Sequence, residues 1–149
     1  IISEFLQKNH FEKKFRFIFP NNKITSFHDT QAGLVSLHSE ESEKKLNNII
    51  SDVDGIRFRS NIIIEGCNAF EELSWIGKKI TINGLNFIVE KSITRCAAVN
   101  CSPDQGLYDK NILKVLPELN GIKEPSFGIK LKLLSKGGKI NVNDSIILK

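Results

Sequence analysis

Long apolar runs are missing from this sequence. Those it has are short, as in Ile62-Ile63-Ile64, far below the roughly 18–20 residues that a membrane-spanning helix needs. A secretory leader is not expected either, because Ile1-Ile2-Ser3-Glu4 is not a basic stretch followed by a long apolar one. Cysteine is scarce. Cys67, Cys96 and Cys101 are odd in number and form no C-x-x-C pair, which argues against a disulfide scaffold and suits a reducing, cytoplasmic setting. His10, His28 and His38 lie near no cysteine in the sequence, so a structural zinc site is not expected. Blocks of like charge are also absent. The net charge is +4 and the pI about 9.0, an imbalance that suits a phosphate-bearing ligand without requiring nucleic acid.

What remains is ordinary globular composition. The 149 residues are 40% hydrophobic and 26% charged, enough for one domain with a core and too few for two. The first residue is isoleucine, not methionine. We read residues 1–24 as the end of a truncated N-terminal segment and residues 25–149 as the domain.

Periodicity supplies most of the expected elements. Phe15, Phe17 and Phe19 alternate as in a half-buried strand, and Pro20-Asn21-Asn22 makes a turn. Leu34 to Leu37 is a short apolar strand. Ser39 then caps a helix with Glu40 and Glu41 in its first turn, and Leu46, Ile49 and Ile50 form its apolar face. Ile56 to Ile64 reads as extended. Asn83-Gly84, between Lys79–Ile82 and Leu85–Lys91, is the clearest hairpin signal, since a two-residue type I′ turn needs positive φ at both positions. Ile112, Val115, Leu116 and Leu119 mark a short helix, interrupted near Pro117. Phe127, Ile129, Leu131 and Leu133 alternate, Gly137-Gly138 turns the chain, and Ile140 to Leu148 returns it. Many short strands, few helices and glycine-centred turns predict a mainly β fold, a closed antiparallel β-barrel with a few short helices attached. Closure would remove the edges that invite aggregation.

Thr94-Arg95-Cys96 is the most informative segment for chemistry. It follows a buried-looking strand and precedes a turn-rich loop, Asn100 to Gly106. A thiol at a strand end, beside a cation and a hydroxyl, suits a soft metal or a sulfur-transfer step. A buried structural cysteine is the alternative. Arg57-Phe58-Arg59-Ser60-Asn61 is the second candidate. Its arginines would share one face of a strand and could grip a phosphate in bidentate fashion, while Asn61 offers a donor and an acceptor to a heterocycle. The alternative is a solvated strand face. Trp75, the one tryptophan, reads as an apolar anchor. Asp109 reads as the cap of the helix that follows it.

Taken in order, these segments resemble the MOSC family, named for the C-terminal domain of molybdenum cofactor sulfurase. Arg57-Phe58-Arg59-Ser60-Asn61-Ile62 is similar to the family's R-F-R-x-N-[IV] strand. Phe70-Glu71-Glu72-Leu73-Ser74-Trp75 is similar to its acidic segment ending in tryptophan, and Thr94-Arg95-Cys96 to its [ST]-R-C motif. Gly138-Lys139-Ile140 with Asn143-Asp144 is similar to its closing G-x-I-x-x-G-D hairpin. The resemblance runs from about Thr25 to the C-terminus. It implies a pyruvate-kinase-barrel-like β-barrel and a molybdenum cofactor, that is, a molybdopterin. Molybdenum ion binding and pyridoxal phosphate binding are terms that travel with the family. It implies Cys96 as metal ligand and catalytic residue, Thr94 and Arg95 flanking the cofactor, and Arg57, Arg59 and Asn61 holding its phosphate or pterin.

The activity the resemblance implies is reduction of N-hydroxylated small molecules, with electrons from a donor protein of ferredoxin or flavoprotein type. Neither a membrane nor a nucleic acid is expected as partner. A second reading is a sulfur carrier holding a persulfide on Cys96. A third is a non-catalytic RNA-binding barrel, against which the lack of clustered Lys/Arg with interleaved aromatics counts. The sequence departs from the family pattern in places. Ile93 stands where many members have a second cysteine, Asn143 replaces the hairpin glycine, and Asn100 to Gly106 matches the family's D-P-x-T-G loop only loosely.

Overall fold

The computed structural model describes residues 35–149. The strand expected around Phe15, Phe17 and Phe19 and the turn at Pro20-Asn21-Asn22 lie outside the described residues. Among the described residues six strands form one sheet: β1 (Val35–Ser39), β2 (Ile62–Ile64), β3 (Lys79–Ile82), β4 (Leu85–Thr94), β5 (Ser126–Leu133) and β6 (Ile146–Leu148), in the order β2-β1-β5-β4-β3-β6. All neighbours are antiparallel except β1 and β2, which run parallel. The helix α1 (Glu40–Asn47) and a 3-10 turn at Gly55–Phe58 make the crossover that a parallel pair requires. A second helix, α2 (Ile112–Asn120), precedes β5.

The sheet curls until its two edge strands, β2 and β6, face each other across a cleft of about 780 Å³. It is a half-barrel of six strands, and among the described residues no ladder joins β2 to β6 to complete a ring. Alternation along the strands explains which face is dry. Leu37, Ile80, Ile82, Phe87, Val89, Ile129 and Leu131 turn inward with Trp75 and form one core cluster. Trp75 is the apolar anchor the sequence predicted. A second cluster packs α1, α2 and the Gly55–Phe58 turn against the start of β5, with Leu46, Phe58, Ile112, Leu116 and Phe127 buried together. Phe58 and Phe127 stack with centroids 3.7 Å apart at an interplanar angle of 12°.

Turn chemistry is borne out at Asn83-Gly84, where φ is +46° and +74°, and β3 and β4 pair directly on either side. Ser39 caps α1 as expected, its hydroxyl accepting from the Ser42 N–H at 3.2 Å.

Other expectations need correction. Gly137-Gly138 is not a hairpin turn: the chain leaves β5 there, passes β4, and returns as β6 on the far side of β3. Ile49 is exposed because α1 ends at Asn47. Pro117 does not interrupt its helix. Removing one N–H costs one bond, and α2 continues to Asn120 and stops at Gly121 in the left-handed region. The span from Ile56 to Ile64 is extended only at β2, because the 3-10 turn takes its first residues.

Gly128 shows how closely the central strands meet. Its φ is +75°, and a Cβ there would lie 2.5 Å from the Leu37 carbonyl oxygen. It also sits in the stretch where the β4–β5 register shifts, between the Ser92 and Thr94 pairs. Strain and overlap together should make Gly128→Ala cost about 2–3 kcal/mol. Urea unfolding would show a lower midpoint at unchanged slope. An unmoved midpoint would mean that β1 and β5 do not approach this closely.

Candidate functional site

The long strand β4 ends at Thr94, and the chain then turns through Arg95 and Cys96 into a 3-10 turn at Ala97–Asn100. Thr94 and Cys96 are exposed, and the thiol is in no disulfide. The alternative of a buried structural cysteine is therefore not what the fold builds. Arg95 points the other way. Its Nε and Nη2 donate to the Phe127 carbonyl at 2.9 and 2.5 Å, and its Nη1 donates to the Phe58 carbonyl at 2.7 Å. The guanidinium lies 5.3 Å from the centroid of the Phe58 ring. Burial draws its pKa down to about 10. The backbone N–H of Arg95 also donates to Pro125 at 2.8 Å. The residue before Cys96 is thus pinned to two other elements.

The Arg57 segment reaches the same region by a second clamp. Arg57 lies in the Gly55–Phe58 turn and Arg59 follows it with φ +48°, so the two do not share a strand face as the sequence suggested. Arg57 makes a two-pronged contact with Asp109, at 2.8 and 2.6 Å, and donates to the Cys101 carbonyl at 2.6 Å. Each partner strengthens the other's charge: the Asp109 hydrogen bond raises the Arg57 pKa, and the Arg57 hydrogen bond lowers that of Asp109. Asp109 is therefore not the helix cap that the sequence predicted. Asn111 precedes α2 instead. The Arg57–Asp109 pair spans 52 positions, and no local spacing announces it.

Arg59 is exposed and has no side-chain partner among the described residues. Asn61 is also exposed. Its Oδ1 accepts from the N–H and the hydroxyl of Ser36, both at 2.9 Å, which fixes the amide orientation and turns its NH2 group away from that contact. Arg57 and Arg95 thus bring the two motifs to neighbouring turns, while Thr94, Cys96, Arg59 and Asn61 supply exposed groups. Only Asn61 of these also lines the cleft between β2 and β6. That cleft is bordered by Ile64, Cys67, Trp75, Ile82, Asp144 and Ile146, and burial pushes the Cys67 thiol pKa up. Among the described residues no group of three or more His, Cys, Asp or Glu could by itself cage a metal ion.

Two buried polar clusters behind these turns were not legible in the sequence. Glu72 is fully buried, and both its oxygens accept from the Ser42 hydroxyl, at 3.0 and 3.3 Å. The Ser39 hydroxyl donates to it at 3.2 Å. His38, also fully buried, joins Ser60 to Glu43.

A family model described as MOSC domain matches residues 24–147. The chain is 29% identical over 147 residues to mitochondrial amidoxime-reducing component 1 of Mus musculus, covering 91% of this chain and 42% of that protein. It is 30% identical over 128 residues to mitochondrial amidoxime reducing component 2 of Bos taurus, covering 78% of this chain and 34% of that protein. To molybdenum cofactor sulfurase of Drosophila persimilis it is 33% identical over 113 residues, covering 76% of this chain and 14% of that protein. It spans less than half the length of each.

Proposed function

Since this chain belongs to the MOSC domain family, we propose that it binds a molybdenum cofactor and is part of an oxidoreductase that reduces N-hydroxylated compounds. The single observation that carries the reading is the free, exposed thiol of Cys96 at the end of β4, next to a braced arginine and an exposed threonine. The names of the amidoxime-reducing relatives supply the substrate class.

The residues present fit such a group. A thiolate is the soft donor that molybdenum takes, and Cys96 would be its ligand. Arg59 would offset the charge of the cofactor's phosphate. Thr94 and the amide NH2 of Asn61 would hydrogen-bond its polar edge. Arg57 and Arg95 would act from behind, holding the backbone on which these groups stand. When bound, the cofactor supplies two-electron redox chemistry, and a separate donor protein would provide the electrons. The curled sheet would be the wall of a barrel, with the β2–β6 cleft as the place where the ring closes.

The same exposed thiol also suits a persulfide carrier, and one experiment separates the two. The intact protein is purified from a host that makes the cofactor, and molybdenum, pterin and the mass of Cys96-containing peptides are measured. Stoichiometric molybdenum with pterin, together with reduction of an N-hydroxylated amidine, supports the proposal. A persulfide on Cys96 with no molybdenum would replace it with the carrier reading.

A further inference from the structure

His38 lies on β1 with its ring enclosed by Phe58, at 5.8 Å between centroids, and Phe127, at 5.2 Å. Both ring nitrogens are engaged. Nε2 meets the Glu43 carboxylate on α1, and Nδ1 lies 2.6 Å from the Ser60 hydroxyl. Three charged groups face the ring: Glu43 from α1, Glu72 from the Glu71–Trp75 turn and Arg95 from the end of β4. Burial lowers the His38 pKa below 6.5, and the Glu43 contact opposes that without overcoming it.

A neutral imidazole has one N–H. An ionised carboxylate can only accept, so Nε2 carries the proton and Nδ1 is bare. The Ser60 hydroxyl must then donate inward to Nδ1, and both lone pairs of its oxygen face away from the histidine. Ser60 stands between Arg59 and Asn61, and two residues after Phe58, whose carbonyl holds Arg95.

We propose that Ser60 is a ligand-binding residue of this site, held as a hydrogen-bond acceptor by the Ser60–His38–Glu43 chain, and that it takes an N–H group of the pterin that Arg59 and Asn61 would flank. The assignment rests on the cofactor reading above. His38 and Glu43 are positioning residues. Their arrangement also makes the acceptor sensitive to pH. Once His38 is protonated, Nδ1 becomes a donor, one Ser60 lone pair must accept from it, and the serine O–H swings outward to compete with the ligand's N–H. Because the folded-state pKa lies below 6.5, the acceptor state is complete above that value and is lost as the pH falls through the folded pKa.

The test uses the intact protein from a cofactor-making host, with bound pterin measured by its fluorescence after oxidation. Ser60→Ala should retain about tenfold less pterin than wild type during dialysis, the effect of one hydrogen bond of about 1.4 kcal/mol. Ser60→Thr, which keeps the hydroxyl, should recover it, and this separates lost binding from a damaged fold. Wild type should release pterin as the pH falls through the lowered folded-state pKa of His38, whereas His38→Gln, which cannot titrate, should show a flatter profile. Nitrogen-15 NMR of His38 should find the proton on Nε2 at neutral pH. A loaded wild type with an equally loaded Ser60→Ala variant overturns the assignment alone, and so does a proton on Nδ1. A wild-type protein that carries no pterin overturns the cofactor reading, and this assignment with it.

Discussion

Replacing Cys96 with serine should empty the protein of molybdenum and abolish reduction of N-hydroxylated substrates, with the melting temperature unchanged. Serine has nearly the same size but is a poor ligand for a soft metal at neutral pH. Losing an outer partner of a metal site already costs roughly 10–100-fold in affinity or activity, and losing the ligand should cost more. Stability should hold because the thiol is exposed, and exposed substitutions away from special contacts stay within about 0.5 kcal/mol. A thiol that served only packing would behave in the opposite way. A hydroxyl in its place would lower the melt by the roughly 1–3 kcal/mol of a poorly satisfied polar group, while each folded molecule kept its metal. Cys67 lines the β2–β6 cleft, and Cys101 follows the Ala97–Asn100 turn, so their serine variants serve as controls. Should Cys101→Ser prove the damaging change, the metal would belong to that thiol.

Arg95→Ala should be the most destabilising change near the site, by about 3–5 kcal/mol. Three of its hydrogen bonds end on two main-chain carbonyls, those of Phe58 and Phe127. Leaving a buried acceptor unpaired costs roughly 1–3 kcal/mol each, and the contact with the Phe58 ring is lost as well. Arg95→Lys should recover only part of this, because one ammonium lacks the planar fork that serves both carbonyls at once. Denaturant titration of the alanine and lysine variants measures the order. Equal stability of wild type and Arg95→Lys would show that charge alone matters there and that the fork does not. Cofactor retention should fall in the alanine variant even at temperatures where it stays folded, because Cys96 is the next residue along the pinned backbone.

The residues that touch solvent were easier to read in the sequence than those that hold them in place. Thr94, Cys96, Arg59 and Asn61 stand out in short motifs, and the structure leaves all four exposed. Their supports are long-range. Arg57 finds Asp109, and Arg95 finds Phe58 and Phe127, across 32 to 52 positions, where neither period nor propensity carries information. Asn83-Gly84 was readable because a local φ requirement fixes it. Gly137-Gly138 was misread for the converse reason. Two glycines permit a hairpin without imposing one, and the partner of β6 is chosen by the β3 edge, roughly sixty-five positions upstream. The extended reading of Ile56 to Ile64 failed because Asp54 caps a 3-10 turn, its Oδ1 accepting from the Ile56 N–H at 2.9 Å. Alternation alone cannot see that competition.

The place of β1 in the sheet has a consequence for how the chain is made. Its ladders run to β2, close behind it, and to β5, roughly ninety residues further on. Pairing between distant segments waits on loop closure and slows folding. At the usual pace of synthesis, ~5–20 residues per second, the ribosome needs roughly 5–20 s to travel from β1 to β5. During that interval Leu37 and its neighbours have no central strand to lie against. A nascent chain stopped short of Leu133 would present that apolar strand to chaperones.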